Sequence, residues 1–325
     1  MTSPQLPEMP IIGLGLWKAE AGQTEAAVYE AIKMGYRHLD GACDYGNEKE
    51  VGAAIKRAIS DGICTREDLW ITSKLWNTYH RKEHVPLACQ KTLDDLELEY
   101  LDLYLIHFPI SLQFVPFEVC YPPEWTDKPG NAGNMILDPV PYRETWEAME
   151  ALKTSGKVKH IGVSNLTCQS IMDILSYCKI KPEVNQFESH VYLQQQQLVD
   201  FCQHNGIQVQ AFSPLGAKSY LAMGPMFATE VDDCFSDPVL VEIATAKGKT
   251  VGDVCLRFQI QRGVSPLPKS VTAERLQQNL QGPLSFELSS EEMAKIASLN
   301  RNRRFNDPAI FAKGWGMPVG YPIYG

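Results

Sequence analysis

His38-Leu39-Asp40-Gly41-Ala42-Cys43-Asp44-Tyr45-Gly46-Asn47-Glu48-Lys49-Glu50-Val51-Gly52 reads as a strand, a short loop and the opening of a helix. The run from Met34 to Leu39 stops at Asp40, and the loop after it carries Asp44 and Tyr45. Asn47, an N-cap residue type, opens a pattern that puts Val51, Ile55 and Ile59 on one helical face. In parallel α/β folds, the loops that follow strands are where chemistry is placed.

The same alternation extends in both directions. Strands are expected at 11–17, 36–40, 69–75, 101–107, 158–163, 183–187, 207–212 and 264–267. Helices are expected near 25–34, 47–60, 82–96, 142–155, 168–178, 194–205, 237–247 and 250–262, from 272 and over 289–299. Two long irregular connections, 109–140 and 213–236, have the length of functional loops or lids. The last stretch, 301–325, is rich in Gly, Pro and aromatics and reads as a non-helical tail. About eight strands, each followed by a helix with no break in composition, predict one (β/α)8 TIM barrel spanning 1–325. No G-x-G-x-x-G follows the first strand, which disfavours a Rossmann domain.

Composition narrows the function classes. Of 325 residues, 44% are hydrophobic and 21% charged, enough to build a large core in a soluble protein. The net charge of −9 and the lack of a Lys/Arg tract argue against nucleic acid or an anionic membrane as partner. The nine cysteines are scattered without a C-x-x-C, as free thiols in a reducing compartment would be, and Cys43 reads as a small buried side chain. The seven histidines and nine cysteines show no metal-ligand spacing. No secretory signal or membrane-spanning run is visible, so the expected location is the cytoplasm.

Asp40, Tyr45, Lys74 and His107 each fall at or just after the end of an expected strand, positions that converge at the C-terminal mouth of a barrel. Together they make an acid site. A tyrosine hydroxyl, with a reference pKa of about 10, is a weak acid at neutral pH, and a neighbouring ammonium lowers that value. A carboxylate keeps the ammonium charged and oriented, and a histidine donates to the substrate oxygen.

These four residues have the order and spacing of the tetrad of the aldo-keto reductases, and the chain resembles that family over almost its whole length. The resemblance is carried by Gly13-Leu14-Gly15-Leu16-Trp17-Lys18, Thr72-Ser73-Lys74-Leu75-Trp76, Leu105-Ile106-His107-Phe108-Pro109, Ile161-Gly162-Val163-Ser164-Asn165, Ser213-Pro214-Leu215-Gly216 and Pro268-Lys269-Ser270. Within the family the chain looks most like the xylose reductases, through Asp44-Tyr45-Gly46-Asn47-Glu48-Lys49-Glu50-Val51-Gly52, Tyr121-Pro122-Pro123, Tyr192-Leu193-Gln194-Gln195 and Arg304-Phe305-Asn306-Asp307-Pro308.

The resemblance implies NADPH held in extended form on the barrel. Ser164, Asn165 and Gln186 would hold the nicotinamide carboxamide. Phe212 would stack on the ring where the family usually has Tyr. Ser213, Leu215, Ala217 and Ser219 would line the pyrophosphate. Lys269, Ser270, Val271, Arg275, Gln278 and Asn279 would surround the 2′-phosphate and adenine. Lys269 and Arg275, two cations at a helix start, suit a phosphate on chemical grounds as well. Val271 stands where relatives that also use NADH often carry Asn, which favours NADPH and leaves NADH as a weaker alternative.

For substrate, Trp17, Trp76 and Phe108 would form an aromatic wall, with Asp44 and Asn306 contacting sugar hydroxyls. That combination suits a polyhydroxylated aldehyde such as D-xylose, reduced to its polyol by a monomer or homodimer. Three alternatives stay open: a general aldehyde reductase; an aldose 6-phosphate reductase, because Cys234-Phe235-Ser236-Asp237-Pro238-Val239-Leu240 and Lys249-Thr250-Val251 resemble the plant sugar-phosphate reductases; and a cofactor-binding regulatory subunit without turnover.

Overall fold

The computed structural model describes residues 6, 8–19, 22–317 and 320–324. Eight parallel strands run in sequence order around one sheet: β1 (Leu14–Gly15), β2 (His38–Asp40), β3 (Trp70–Leu75), β4 (Leu101–Ile106), β5 (Val158–Ser164), β6 (Val184–Glu188), β7 (Gln208–Phe212) and β8 (Val264–Leu267). Gly13 N donates to Pro266 O at 3.2 Å and Gly15 N to Pro268 O at 3.1 Å, so β1 closes the sheet against β8 into the expected (β/α)8 TIM barrel. Gly15 has to be glycine: a Cβ there would lie 2.9 Å from the Leu267 carbonyl oxygen.

Helices α1 (Thr24–Met34), α2 (Glu48–Ser60), α3 (Val85–Leu96), α4 (Tyr142–Thr154), α5 (Cys168–Leu175), α6 (Gln196–His204), α7 (Pro238–Lys247), α8 (Val251–Gln261), α9 (Ala273–Gln281), α10 (Ser290–Ala297) and α11 (Pro308–Phe311) follow in chain order. Strand alternation separates two layers. Leu103 and Leu105 join Met9, Trp70 and Val184 in one cluster, whereas Tyr104 and Ile106 belong to the large cluster shared with helix residues such as Val85, Cys89 and Trp146. Among the described residues, no helix is long and apolar enough to cross a membrane.

Four local expectations are corrected. The expected 11–17 strand shrinks to Leu14–Gly15, because only there does the backbone pair with β2. Helix α3 begins at Val85 rather than at 82; residues 81–84 instead form a turn, with His84 N bonded to Arg81 O. Asn47 occupies the N-cap position of α2 but makes no side-chain cap; its Nδ2 donates to Leu16 O at 3.0 Å and ties the helix to the end of β1. The tail is not wholly irregular: Asp307 accepts from Ala309 N and, with Pro308, starts the single turn of α11.

At the start of α2, Glu48 is buried and accepts from the hydroxyls of Ser73 (2.7 Å), Thr92 (3.3 Å) and Tyr121 (3.4 Å). Burial, reinforced by the charge of Asp95, pushes its carboxyl up from 4.5 to about 7. Between those values the folded state holds a proton that the unfolded chain has released, so this group makes stability fall as pH rises. Glu48→Gln is expected to flatten that slope and to melt above the parent at about pH 8, with a smaller difference at about pH 5. Thermal melts at both pH values check this, and an equal offset at the two would contradict it.

Candidate active site

The strands end in a ring of functional side chains at the C-terminal mouth. Asp40 is the last residue of β2 and Lys74 lies one residue from the end of β3. His107 follows β4, Ser164 ends β5, Gln186 sits in β6 and Phe212 ends β7. Above them opens a cleft of about 1210 Å³ including its mouth. Asp40, Asp44, Tyr45, Trp17, Trp76, His107, Phe108, Asn165, Gln186, Phe212, Ser213, Leu215, Ser219, Lys269 and Asn306 all line it. Most of the expected site is therefore one place.

Lys74 stands behind that wall with 0% exposure. Its Nζ donates to Asp40 Oδ1 at 2.7 Å, to Gly41 O at 2.8 Å and to the Tyr45 hydroxyl at 3.2 Å. Asp40 Oδ2 in turn accepts from Gln186 Nε2 at 2.6 Å. One expectation is corrected here. Although an ammonium adjoins it, the Tyr45 hydroxyl is pushed well above its ordinary value, first by burial and then by the charges of Asp40 and Asp44. Asp40 neutralises Lys74 at the shorter distance, which leaves little net positive field on the phenol. Cys43 is buried and its thiol is likewise pushed up by burial, which makes it inert, as expected of a packing residue.

His107 stacks on Phe108 with ring centroids 4.9 Å apart, and Asp44 Oδ1 lies 3.0 Å from its Nδ1. Trp76 packs edge-on against Phe108 and Trp125, and Trp125 carries the wall on to Phe311 and Trp315. Trp17 instead packs on Tyr220 across the cleft. The tail brings in Asn306 because Glu188, fully buried, accepts from the backbone N of both Phe305 and Asn306 at 2.8 Å.

The other side of the cleft is cationic. Lys18, in a left-handed conformation at φ 58°, donates to Ser219 O at 3.0 Å and so bridges the loops after β1 and β7. Partial burial, and then the charge of Lys269, push its ammonium below the usual range. Two cations pressed together beside the N–H-rich turn 213–219 favour an anion such as a pyrophosphate. The residues present therefore fit a phosphorylated dinucleotide with an amide at its far end.

Not all expected residues reach the cleft wall. Ser164 and Ala217 are buried behind it. Ser270, Val271, Arg275, Gln278 and Asn279 lie beyond it along the turn into α9, with Arg275 exposed and Gln278 Nε2 donating to Thr250 Oγ1 at 3.0 Å. The segment 234–240 does not line it either: Asp237 caps α7 and accepts from Tyr192, and Lys249 donates to Ser285. These segments form the starts of α7 and α8 outside the cleft.

Some lining residues escaped the sequence. Tyr220, whose hydroxyl bonds Ser213 Oγ at 3.1 Å, lies in an irregular loop without periodicity to mark it. The aromatic content of the tail was the only hint of Phe311 and Trp315.

Residues 11–301 match the Aldo/keto reductase family. The chain is 44% identical over 310 residues to the NADPH-dependent aldose reductase of Saccharomyces cerevisiae, covering 94% of this chain and 95% of that one. It is 46% identical over 300 residues to the NAD(P)H-dependent D-xylose reductase of Candida tenuis, covering 92% of each. The crystal structure of Bombyx mori aldo-keto reductase in complex with NADP superposes with a TM-score of 0.81 at 36% identity, covering 97% of this chain and 95% of that one.

Proposed function

The chain belongs to the aldo/keto reductase family, and from that premise we propose that it is an NADPH-preferring aldose reductase that converts the open-chain aldehyde of a sugar such as D-xylose to its polyol. The observation that carries this reading is the buried chain Gln186–Asp40–Lys74–Tyr45, ending in a hydroxyl on the cleft beside His107. A positioned acid with no second use in the fold belongs to turnover rather than to a binding subunit.

When bound, the cofactor supplies the hydride. The protein's residues do the rest. His107 orients and polarises the carbonyl oxygen. Tyr45 gives that oxygen its proton as negative charge develops, and Lys74, paired with Asp40, stabilises the phenolate left behind. Trp76 and Phe108 on one side of the cleft and Trp17 on the other exclude water, while Asp44 and Asn306 offer polar partners to sugar hydroxyls. Asn165 and Gln186 hold the nicotinamide amide with Ser164 behind them, and Phe212 stacks on the ring. Ser213, Leu215 and Ser219 would line the pyrophosphate with Ala217 buried behind them, and Lys269, Ser270, Val271, Arg275, Gln278 and Asn279 would surround the adenosine phosphate. We read 1–325 as one functional unit, working in the cytoplasm on a small sugar or aldehyde, with the tail from 301 forming part of the cleft wall.

The test is optical: NADPH oxidation against D-xylose, other aldoses, sugar phosphates and simple aldehydes. Preference for pentoses supports the proposal, and preference for sugar phosphates or no turnover overturns it. Arg275→Ala is expected to raise KM for NADPH by about 10- to 100-fold, the worth of a charge-assisted hydrogen bond, and to leave KM for NADH nearly unchanged. Equal effects on the two cofactors would remove Arg275 from the 2′-phosphate.

A further inference from the structure

Asn165 follows β5 in a left-handed conformation at φ 62° and is 1% exposed. The His107 carbonyl oxygen beside it can only accept, so the amide nitrogen faces that way: Nδ2 donates to His107 O at 2.9 Å and to Ser164 Oγ at 3.2 Å. Both N–H groups are spent, and Oδ1 points the other way. There the hydroxyl of Tyr324, from the tail beyond α11, donates to it at 2.8 Å. Gln186 is fixed by the same logic. The Asp40 carboxylate can only accept, so Nε2 faces it at 2.6 Å and gives its second N–H to Gln210 Oε1 at 2.9 Å. What Asn165 and Gln186 retain for a ligand in the cleft is acceptor oxygen.

Tyr324 is itself held. The Arg304 guanidinium lies 3.5 Å over its ring centroid, and Arg304 Nη2 donates to Gln195 Oε1 at 3.0 Å. Gln195 Nε2 bonds Glu188 O at 2.6 Å, and the Glu188 carboxylate holds the backbone of Phe305 and Asn306. A continuous set of contacts therefore joins the tail that carries Asn306 to the amide of Asn165.

We infer that Tyr324 is a positioning residue: its hydroxyl pins Asn165 Oδ1 so that the site recognises the ring substituent of the nicotinamide by N–H donation from the cofactor to Asn165 and Gln186. This rests on the cofactor reading above. It makes the site selective for a ring bearing an amide or thioamide NH2 over one bearing a methyl ketone, and it makes that selectivity depend on a tail residue.

The experiment is direct binding, followed by quenching of protein fluorescence from the cleft tryptophans Trp17, Trp76, Trp125 and Trp315. The probes are NADP+, its thionicotinamide analogue, which keeps the NH2, and its 3-acetylpyridine analogue, which lacks it. The parent is expected to bind the thionicotinamide analogue within about threefold of NADP+ and the acetylpyridine analogue at least about tenfold more weakly, the worth of one to two hydrogen bonds. Tyr324→Phe keeps the ring on Arg304 and loses only the donor. It is expected to weaken NADP+ by up to about tenfold and to cut the preference for NADP+ over the acetylpyridine analogue to about threefold or less, with an unchanged melting temperature. A merely structural role would weaken all three probes alike and leave their ratio intact, which would overturn the inference. A parent that binds NADP+ and the acetylpyridine analogue equally overturns it without any variant. A parent that binds NADP+ not at all overturns the functional proposal itself.

Discussion

Tyr45→Phe is expected to lower aldehyde turnover by roughly 10²- to 10⁴-fold, the range a positioned general acid contributes, and to leave NADPH affinity within about twofold. The hydroxyl is 3.2 Å from Lys74 Nζ, and both Tyr45 and Lys74 are held by the loop and strand ends rather than by the cofactor cleft. Removing one oxygen therefore takes away the proton without moving the wall. The raised pKa of Tyr45 matters here. Burial, then Asp40 and Asp44, keep Tyr45 protonated in the free protein at every physiological pH. Reduction needs that protonated form, so kcat/KM for an aldehyde is expected to stay flat through neutrality and to fall only as the hydroxyl ionises, above the ordinary tyrosine value. The field of Lys74 acts when charge develops on the phenol oxygen, in the transition state, which is where it accelerates the reaction. Single-turnover traces with fluorescence titration of NADPH separate chemistry from binding. Parental turnover in the variant would remove Tyr45 from the mechanism.

Asp40→Ala is expected to cost about 3–5 kcal/mol of stability, because removing one partner of a buried ion pair strands the other charge. Lys74 has 0% exposure, and its remaining partners, Gly41 O and the Tyr45 hydroxyl, are neutral. Gln186 Nε2 also loses its acceptor. Activity should be lost with the pair, because the Lys74 ammonium is no longer held against the Tyr45 hydroxyl. Asp40→Leu combined with Lys74→Met replaces the pair by apolar volume and is expected to recover most of the stability with no turnover. Urea unfolding of the three proteins checks the set. A loss below about 1 kcal/mol in Asp40→Ala would mean that the pair is solvated and weak.

The candidate catalytic constellation was legible because strand ends announce themselves. Asp40, Lys74 and His107 each terminate an apolar run, and a parallel barrel sends every such end to the same rim. Helix boundaries were legible to within a few residues where caps and apolar periodicity agree, as at α8, which Thr250 caps, and less so at α3, where the turn at 81–84 carries helix-compatible residues. Asn47 has the residue type of a cap, but the nearby Leu16 carbonyl competes for its amide. The acidity of Tyr45 was misjudged from the neighbours alone, because the sign depends on which charge is neutralised and how deeply the phenol is buried.

The barrel and the family were readable along the chain, as was the candidate tetrad of Asp40, Tyr45, Lys74 and His107, since each is written in local periodicity or in short motifs. Tertiary structure alone decided the rest. Gln186 meets Asp40 across 146 residues, Lys18 meets Ser219 across 201 and Tyr324 meets Asn165 across 159. A hydrogen bond has no periodicity and leaves no trace along the chain, and which way an amide points is settled only by the acceptors that folding places around it.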